Sequence, residues 1–177
     1  MKSQIKSNGN FNIVKPTNDM ALEIAKVHVK SWQNAYMDII PKDYLDNMSI
    51  EDRAKRYIFG NDLNEGNYSF VARLDEKIIG LLHLCKYRES DNNQIGEIGA
   101  IYLSPEYWNK GYGRKMMEFS LDFLKSKEYK QIVLWVLKDN THAINFYKKF
   151  GFKFDGNTKV INIGKSLEEV RYSKYID

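Results

Sequence analysis

The sequence predicts a mixed α/β fold in which a mostly antiparallel central sheet is flanked by helices. Three observations carry that prediction. Tyr68 to Arg73 is β-prone with a period of two, Asp75-Glu76-Lys77 turns the chain, and Ile78 to Tyr87 returns as the second strand of a hairpin. Ile98 to Leu103 is an apolar strand broken by Ser104-Pro105-Glu106, after which Gly111-Tyr112-Gly113 opens a helical pattern with Met116, Met117, Ser120, Leu121 and Leu124 on one face. Gln131 to Leu137 is a further β-prone run, and Asn140 caps a helix that ends at Phe150-Gly151 with a glycine C-cap.

The remaining elements fall around these. Phe11 to Val14 reads as a first strand after about ten polar residues expected to be flexible. Pro16-Thr17-Asn18-Asp19 has helix-start chemistry, and Ala21, Leu22, Ala25, Val29 and Trp32 follow at helical spacing. Pro41-Lys42-Asp43 begins a short helix carrying Tyr44 and Leu45, and Ser49-Ile50-Glu51-Asp52 a capped one running to about Phe59. Arg88 to Asn93 is a polar turn, so the strand starting near Gln94 is expected to run antiparallel to the hairpin. Lys153 to Asp155 and Glu168 to Tyr175 read as a closing antiparallel pair around a mobile-looking connection. The coarse order is β-α-α-β-β-β-α-β-α-β-β.

Composition bounds the function. The 177 residues suit one domain with a sizeable core, and 43% hydrophobic and 14% aromatic residues fit a folded chain. A net charge of +4, spread along the chain, gives no basic patch for nucleic acid. Cys85 is the only cysteine, which excludes an intrachain disulfide and points to a reducing cytoplasm. The start lacks a signal-peptide apolar run, and the most apolar stretch, Ile78 to Cys85, is too short to span a bilayer, so no membrane role is expected. His28 lies in the first helix and reads as a packing or surface histidine. His83 and Cys85 share a strand face without a third ligand, so no metal site is expected. His28, His83 and His142 have no Gly-x-Ser-x-Gly elbow to serve, which argues against a hydrolase triad.

The glycine-bearing turn is the informative feature. First-turn N–H groups of a helix have no intrahelical acceptor, and the helix dipole adds partial positive charge there. A strand feeding Gly111-Tyr112-Gly113 at a helix start is therefore a device for holding anions, with Lys110 and Arg114 flanking it. Neither the three-glycine dinucleotide fingerprint nor the nucleotide P-loop is present. Trp108 to Gly113 resembles the acetyl-CoA signature of the GNAT superfamily of N-acetyltransferases, Arg/Gln-x-x-Gly-x-Gly/Ala after a central strand, except that Trp108 stands at its first position. Asn140-Thr141-His142-Ala143-Ile144-Asn145-Phe146-Tyr147-Lys148-Lys149-Phe150-Gly151-Phe152 is similar to the family's second signature, Asn-x-x-Ala-x-x-Phe-Tyr-x-x-x-Gly-Phe. Ser31 to Tyr36 and Tyr44-Leu45 look more loosely like a bacterial branch that includes polyamine acetyltransferases.

The resemblance implies an acetyl-CoA-dependent enzyme of GNAT-type fold that moves an acetyl group directly to a primary amine. It implies that the backbone of Ile101, Tyr102 and Leu103 pairs with the pantetheine arm. The N–H groups of Asn109, Lys110, Gly111, Tyr112, Gly113 and Arg114 would hold the pyrophosphate, and Asn140 would contact the cofactor arm. Tyr147 matches the tyrosine that often serves as acid towards the CoA sulfur. Glu97 matches the base glutamate of the histone-modifying branch by its spacing from Gly111, or it is a solvated strand-end charge. Trp32 and Tyr36 are either core aromatics or the wall of an acceptor pocket. The expected acceptor is a small polyamine-like amine. The alternatives are a protein N-terminus or lysine, or a regulatory module that binds acetyl-CoA without turnover. Dimers are common in the family, so a homodimer is compatible with the resemblance.

Overall fold

The computed structural model describes residues 9–59, 66–90 and 92–176. Its strands are β1 (Phe11–Val14), β2 (Asn67–Leu74), β3 (Lys77–Lys86), β4 (Ile95–Leu103), β5 (Gln131–Leu137), β6 (Lys153–Asn162) and β7 (Ser166–Tyr175). Its α-helices are α1 (Ala21–Ala35), α2 (Lys42–Asp46), α3 (Ile50–Ala54), α4 (Tyr112–Ser126) and α5 (Thr141–Lys149). The strands form one sheet in the order β1-β2-β3-β4-β5-β7-β6, antiparallel throughout except between β4 and β5. No described helix is long and apolar enough to cross a membrane. Residues 1–8, which hold most of the segment expected to be flexible, lie outside the described residues. Asn10, at its end, is tied down by mutual bonds with Asp75 at the β2–β3 turn.

The main core lies between the sheet and the pair α4 and α5. Met116, Met117 and Leu124 of α4 and Ile144 of α5 meet Leu82, Leu84, Ile132 and Leu134 of the strands. On the opposite face, Ile24 and Val27 of α1 pack on Val71 and Leu81. Both faces of the sheet are thus covered, which is why the period-two run in β2 buries Phe70, Val71 and Ala72 consecutively rather than alternately. The α1 stripe is Ile24, Ala25, Val27, His28 and Ser31, at the spacing a 3.6-residue helix requires. Leu22, expected on that stripe, is 46% exposed.

Four expectations are corrected. The coarse order counts two helices between β1 and β2, whereas all three helix starts read from the sequence give α-helices there. The helix opened by Ser49 stops at Ala54 rather than near Phe59. Its cap is as read, Ser49 Oγ accepting from Asp52 N at 3.0 Å, but the chain beyond leaves the helix so that Tyr57 can pack under α1. The start of α1 has no side-chain cap: Asn18 Oδ1 instead accepts from Phe59 N at 2.6 Å. Finally, the closing pair is a ten-residue by ten-residue hairpin whose connection is short, not mobile-looking. β6 hides from a hydrophobicity reading because it is an outer strand with mostly exposed residues and a bulge at 155–157, where Gly156 takes φ +90°.

Two irregularities in the sheet create the site. β4 and β5 pair only from Ile95↔Gln131 to Glu97↔Val133, then separate. The split begins where β4 carries a bulge: His83 faces Ala100 and Leu84 faces Ile98, which leaves Gly99 as the extra residue.

Candidate active site

A cleft of about 730 Å³ opens where the strands part. Its sides are Ile98–Leu103 of β4 and Trp135–Leu137 of β5; the N-terminal ends of α4 and α5 close one mouth, and the end of α1 the other. Ser104 N donates to Ile79 O at 2.8 Å, so by the alternation of an antiparallel ladder Tyr102 directs its backbone groups to β3. Ile101 and Leu103 therefore turn theirs towards the cleft. Leu103 O is already taken, by Trp108 Nε1 at 2.7 Å and Ser31 Oγ at 3.0 Å. The usable edge is thus the N–H and C=O of Ile101 and the N–H of Leu103, while Tyr102 contributes its side chain on the α1 face. The Trp108 contact also explains that residue's presence: its indole closes the end of β4.

At the α4 mouth the chain passes Asn109 with φ +58° and Gly111 with φ +87°. A Cβ on Gly111 would touch nothing within 4 Å, so glycine is required there by backbone conformation and not by crowding. Between Trp108 and Lys115, no backbone N–H finds a carbonyl acceptor among the described residues; Lys115 N then donates to Gly111 O at 3.2 Å. These are the donors a pyrophosphate needs. The side chains do less. Arg114 pairs with Glu118 at 2.7 Å, Lys110 lies over the Tyr107 ring, and Tyr112 stacks on Phe11.

At the head of α5, Asn140 is buried, and its Oδ1 accepts from Ala143 N at 3.1 Å, leaving the amide NH2 to the cleft. His142 stacks on Trp108 at the same mouth. Tyr147 lines the cleft two turns beyond Asn140. Burial raises its phenol well above the ordinary tyrosine range, with a smaller push from Tyr102, so it is a proton donor at neutral pH. Burial likewise raises Tyr36, which also feels Tyr102, Tyr147 and Glu169. All four of these groups line the cleft.

Glu97, the last residue of β4 to pair with β5, has a side chain only 3% exposed. Arg88 grips both its oxygens, Nη2 to Oε1 at 2.7 Å and Nε to Oε2 at 3.2 Å. Cys85 Sγ lies 4.0 Å from the same carboxylate, and burial holds its thiol up at about 11, an inert value. Trp32 and Tyr36 of α1 meet edge to face, ring centroids 5.1 Å apart, and form a wall opposite the sheet. His28 lies behind them as a buried packing residue, bonded to Tyr57 OH at 2.6 Å.

Arg88, Trp135, Lys159 and Glu169 also line the cleft and were not foreseen. Their convergence is a product of register: Glu169 pairs with Leu137 on one side and Lys159 on the other. In the linear sequence Glu169 is one of two adjacent acids on a late strand. No local pattern could have singled it out.

An open strand edge, a ring of unpaired N–H groups and a protonated tyrosine in one cleft define an enzyme that takes an acyl group from a pantetheine thioester. The match to known proteins makes that class particular: residues 29–152 match the acetyltransferase (GNAT) family, and the chain belongs to it, as an acetyl-CoA-dependent N-acetyltransferase. It is 34% identical over 134 residues to an uncharacterized N-acetyltransferase, YuaI, of Bacillus subtilis, covering 72% of each chain. Over 72 residues it is 32% identical to the spermine/spermidine N(1)-acetyltransferase of the same organism, 40% of this chain and 47% of that one. Over 86 residues it is 33% identical to N-alpha-acetyltransferase 30 of Schizosaccharomyces pombe, 48% of this chain and 57% of that one. The fold matches the PaiA N-acetyltransferase of Thermoplasma acidophilum solved with coenzyme A, at a TM-score of 0.71 and 22% identity over 94% of this chain and 99% of that one.

Proposed function

We propose that this enzyme transfers acetyl directly to a primary amine of a small polyamine-like cation. The observation that carries the acceptor is the character of the cleft beyond Tyr147. Trp32, Tyr36, Tyr102 and Trp135 supply aromatic surfaces; of the two carboxylates, Glu97 is held by Arg88, and Glu169 has only Lys159, at 3.8 Å, beside it. Aromatic faces with carboxylates attract ammonium groups. The segment similar to a spermine/spermidine acetyltransferase supports the same reading.

Acetyl-CoA supplies the activated thioester; the chain supplies position and proton transfer. The N–H groups of 109–114 and the amide of Asn140 hold the cofactor, with the edge at Ile101 and Leu103 aligning its arm. Glu97 removes the proton from the incoming ammonium, directly or through water. Because Arg88 holds both its oxygens, that uptake requires the guanidinium, whose side chain is 64% exposed, to release one. Tyr147 donates to the departing sulfur.

The test is release of free thiol from acetyl-CoA across spermidine, spermine, aminoglycosides and a lysine peptide. Turnover on a polyamine is expected, and Tyr147→Phe should lower kcat by about a hundredfold, in the range of a lost general acid. Turnover confined to the peptide would overturn the acceptor class and favour acetylation of a protein N-terminus or lysine. The similarity to N-alpha-acetyltransferase 30 supports that second reading.

A further inference from the structure

The two carboxylates of the cleft differ in how they are held. Glu97 has both oxygens engaged by Arg88. Glu169, with its side chain 20% exposed, has no hydrogen-bond donor on its carboxylate among the described residues. Its nearest cation is Lys159 Nζ, 3.8 Å from Oε2 and beyond hydrogen-bond distance. That ammonium is held elsewhere: it bonds Glu89 Oε1 at 2.5 Å and sits 4.0 Å above the centroid of the Trp135 ring. An ammonium over an indole face, with carboxylates to either side, is the arrangement by which proteins bind organic cations. Here the cation is the protein's own lysine, and it reaches into the acceptor end of the cleft.

We propose that Glu169 and the indole of Trp135 form the docking site for a second ammonium of the acceptor, one not acetylated, and that Lys159 occupies this site in the free protein. The proposal rests on the reading of the acceptor as a polyamine-like cation and names what selects it. Glu169 is suited to the task in two ways. Burial raises its pKa, with Glu89 and Glu97 adding to the push and Lys159 opposing it, so its charge is incompletely compensated and gains from a partner. It also lines the same cleft as Tyr36 and Tyr147, so the docked ammonium is held within the same pocket as the acid. An incoming ammonium displaces Lys159 towards Glu89, where it is already bonded. A monoamine has nothing to place there.

The experiment compares kcat/KM for spermidine and for n-butylamine in the wild type, Glu169→Gln and Lys159→Met. Each variant's melting temperature and KM for acetyl-CoA serve as checks that it is folded. Loss of a charge-assisted contact is expected to lower the spermidine-to-butylamine ratio of kcat/KM about tenfold in Glu169→Gln. Removing the competing ammonium is expected to raise the same ratio in Lys159→Met. An unchanged ratio in Glu169→Gln, in an enzyme that turns over spermidine, overturns the docking site alone. Equal losses on both amines overturn it too, because Glu169 would then act at the reacting nitrogen. A wild type that acetylates butylamine but neither acetylates nor is inhibited by spermidine overturns the docking site and the polyamine reading together.

Discussion

His28 shows how far one buried side chain can govern the protein's response to pH. It is enclosed by Trp32, Tyr57 and Tyr102, and burial is the main reason its pKa falls to about 3, with Arg53 and Arg56 contributing. In the unfolded chain the same imidazole titrates near 6.5. The unfolded state therefore takes up a proton first as the pH falls. Folding stability from this source is intact above about pH 6.5 and declines below it, by up to about 1.4 kcal/mol per pH unit, until about pH 3. Urea unfolding at pH 7 and pH 5 is expected to show wild type losing about 2 kcal/mol more than His28→Gln between the two. Equal losses would mean that the histidine charges in the folded protein. The sequence identified this residue as packing or surface, and its neighbours explain why it is packing: the helical spacing that buries Ile24 and Ser31 places His28 between them.

Two glycines separate the demands of packing from those of ligand approach at the level of elements. In β3, a Cβ on Gly80 would lie 2.9 Å from Tyr102 O in β4 and 2.8 Å from Met116 Cε in α4. The methionine can shift but the carbonyl cannot without moving β4, so Gly80→Ala is expected to destabilise by about 1–3 kcal/mol. Gly111 faces open space, and Gly111→Ala is expected to cost only about 1 kcal/mol of backbone strain while raising the KM for acetyl-CoA severalfold. Urea unfolding and cofactor kinetics on both variants check this, and an unaltered KM in Gly111→Ala would mean that the turn is not the phosphate cradle. Elements with a local signal were legible in advance: the Ser49 and Asn140 caps, the β2–β3 hairpin, and the strand-turn-helix from β4 into α4. Elements whose limits depend on tertiary partners were not. α3 ends where Tyr57 turns in to meet His28, and β6 extends because β7 supplies its bonds, with no apolar alternation of its own.

For the molecule as a whole, the cleft is a binding site built into the sheet, so its ligand is expected to stabilise the fold. Free coenzyme A at about a hundred times its Kd adds about 2.7 kcal/mol, or roughly 5–10 °C in melting temperature for a chain of this size. NAD at the same concentration is expected to add nothing, in keeping with the missing third glycine, and a comparable shift would contradict the assignment of the turn. The donors proposed for the cofactor carry a local sequence signal because they are nearly consecutive: 109–114 in one turn, and Asn140 with Tyr147 at the cap and in the body of one helix. At the acceptor end the sequence offers Trp32 and Glu97 as candidates, whereas Trp135 and Glu169 carry no local signal, since they lie on separate strands and meet only through strand register.

Only three residue pairs of the ladder join β4 to β5, and so the strand run β1 to β4 to the run β5, β7 and β6. The sheet is therefore parted like a book fastened at one end of its spine. Tyr102 belongs to one cover and Trp135 and Glu169 to the other, so whatever lies in the fold of the page touches both. A ligand seated there would fasten the open end of the spine, which the ladder alone leaves unfastened.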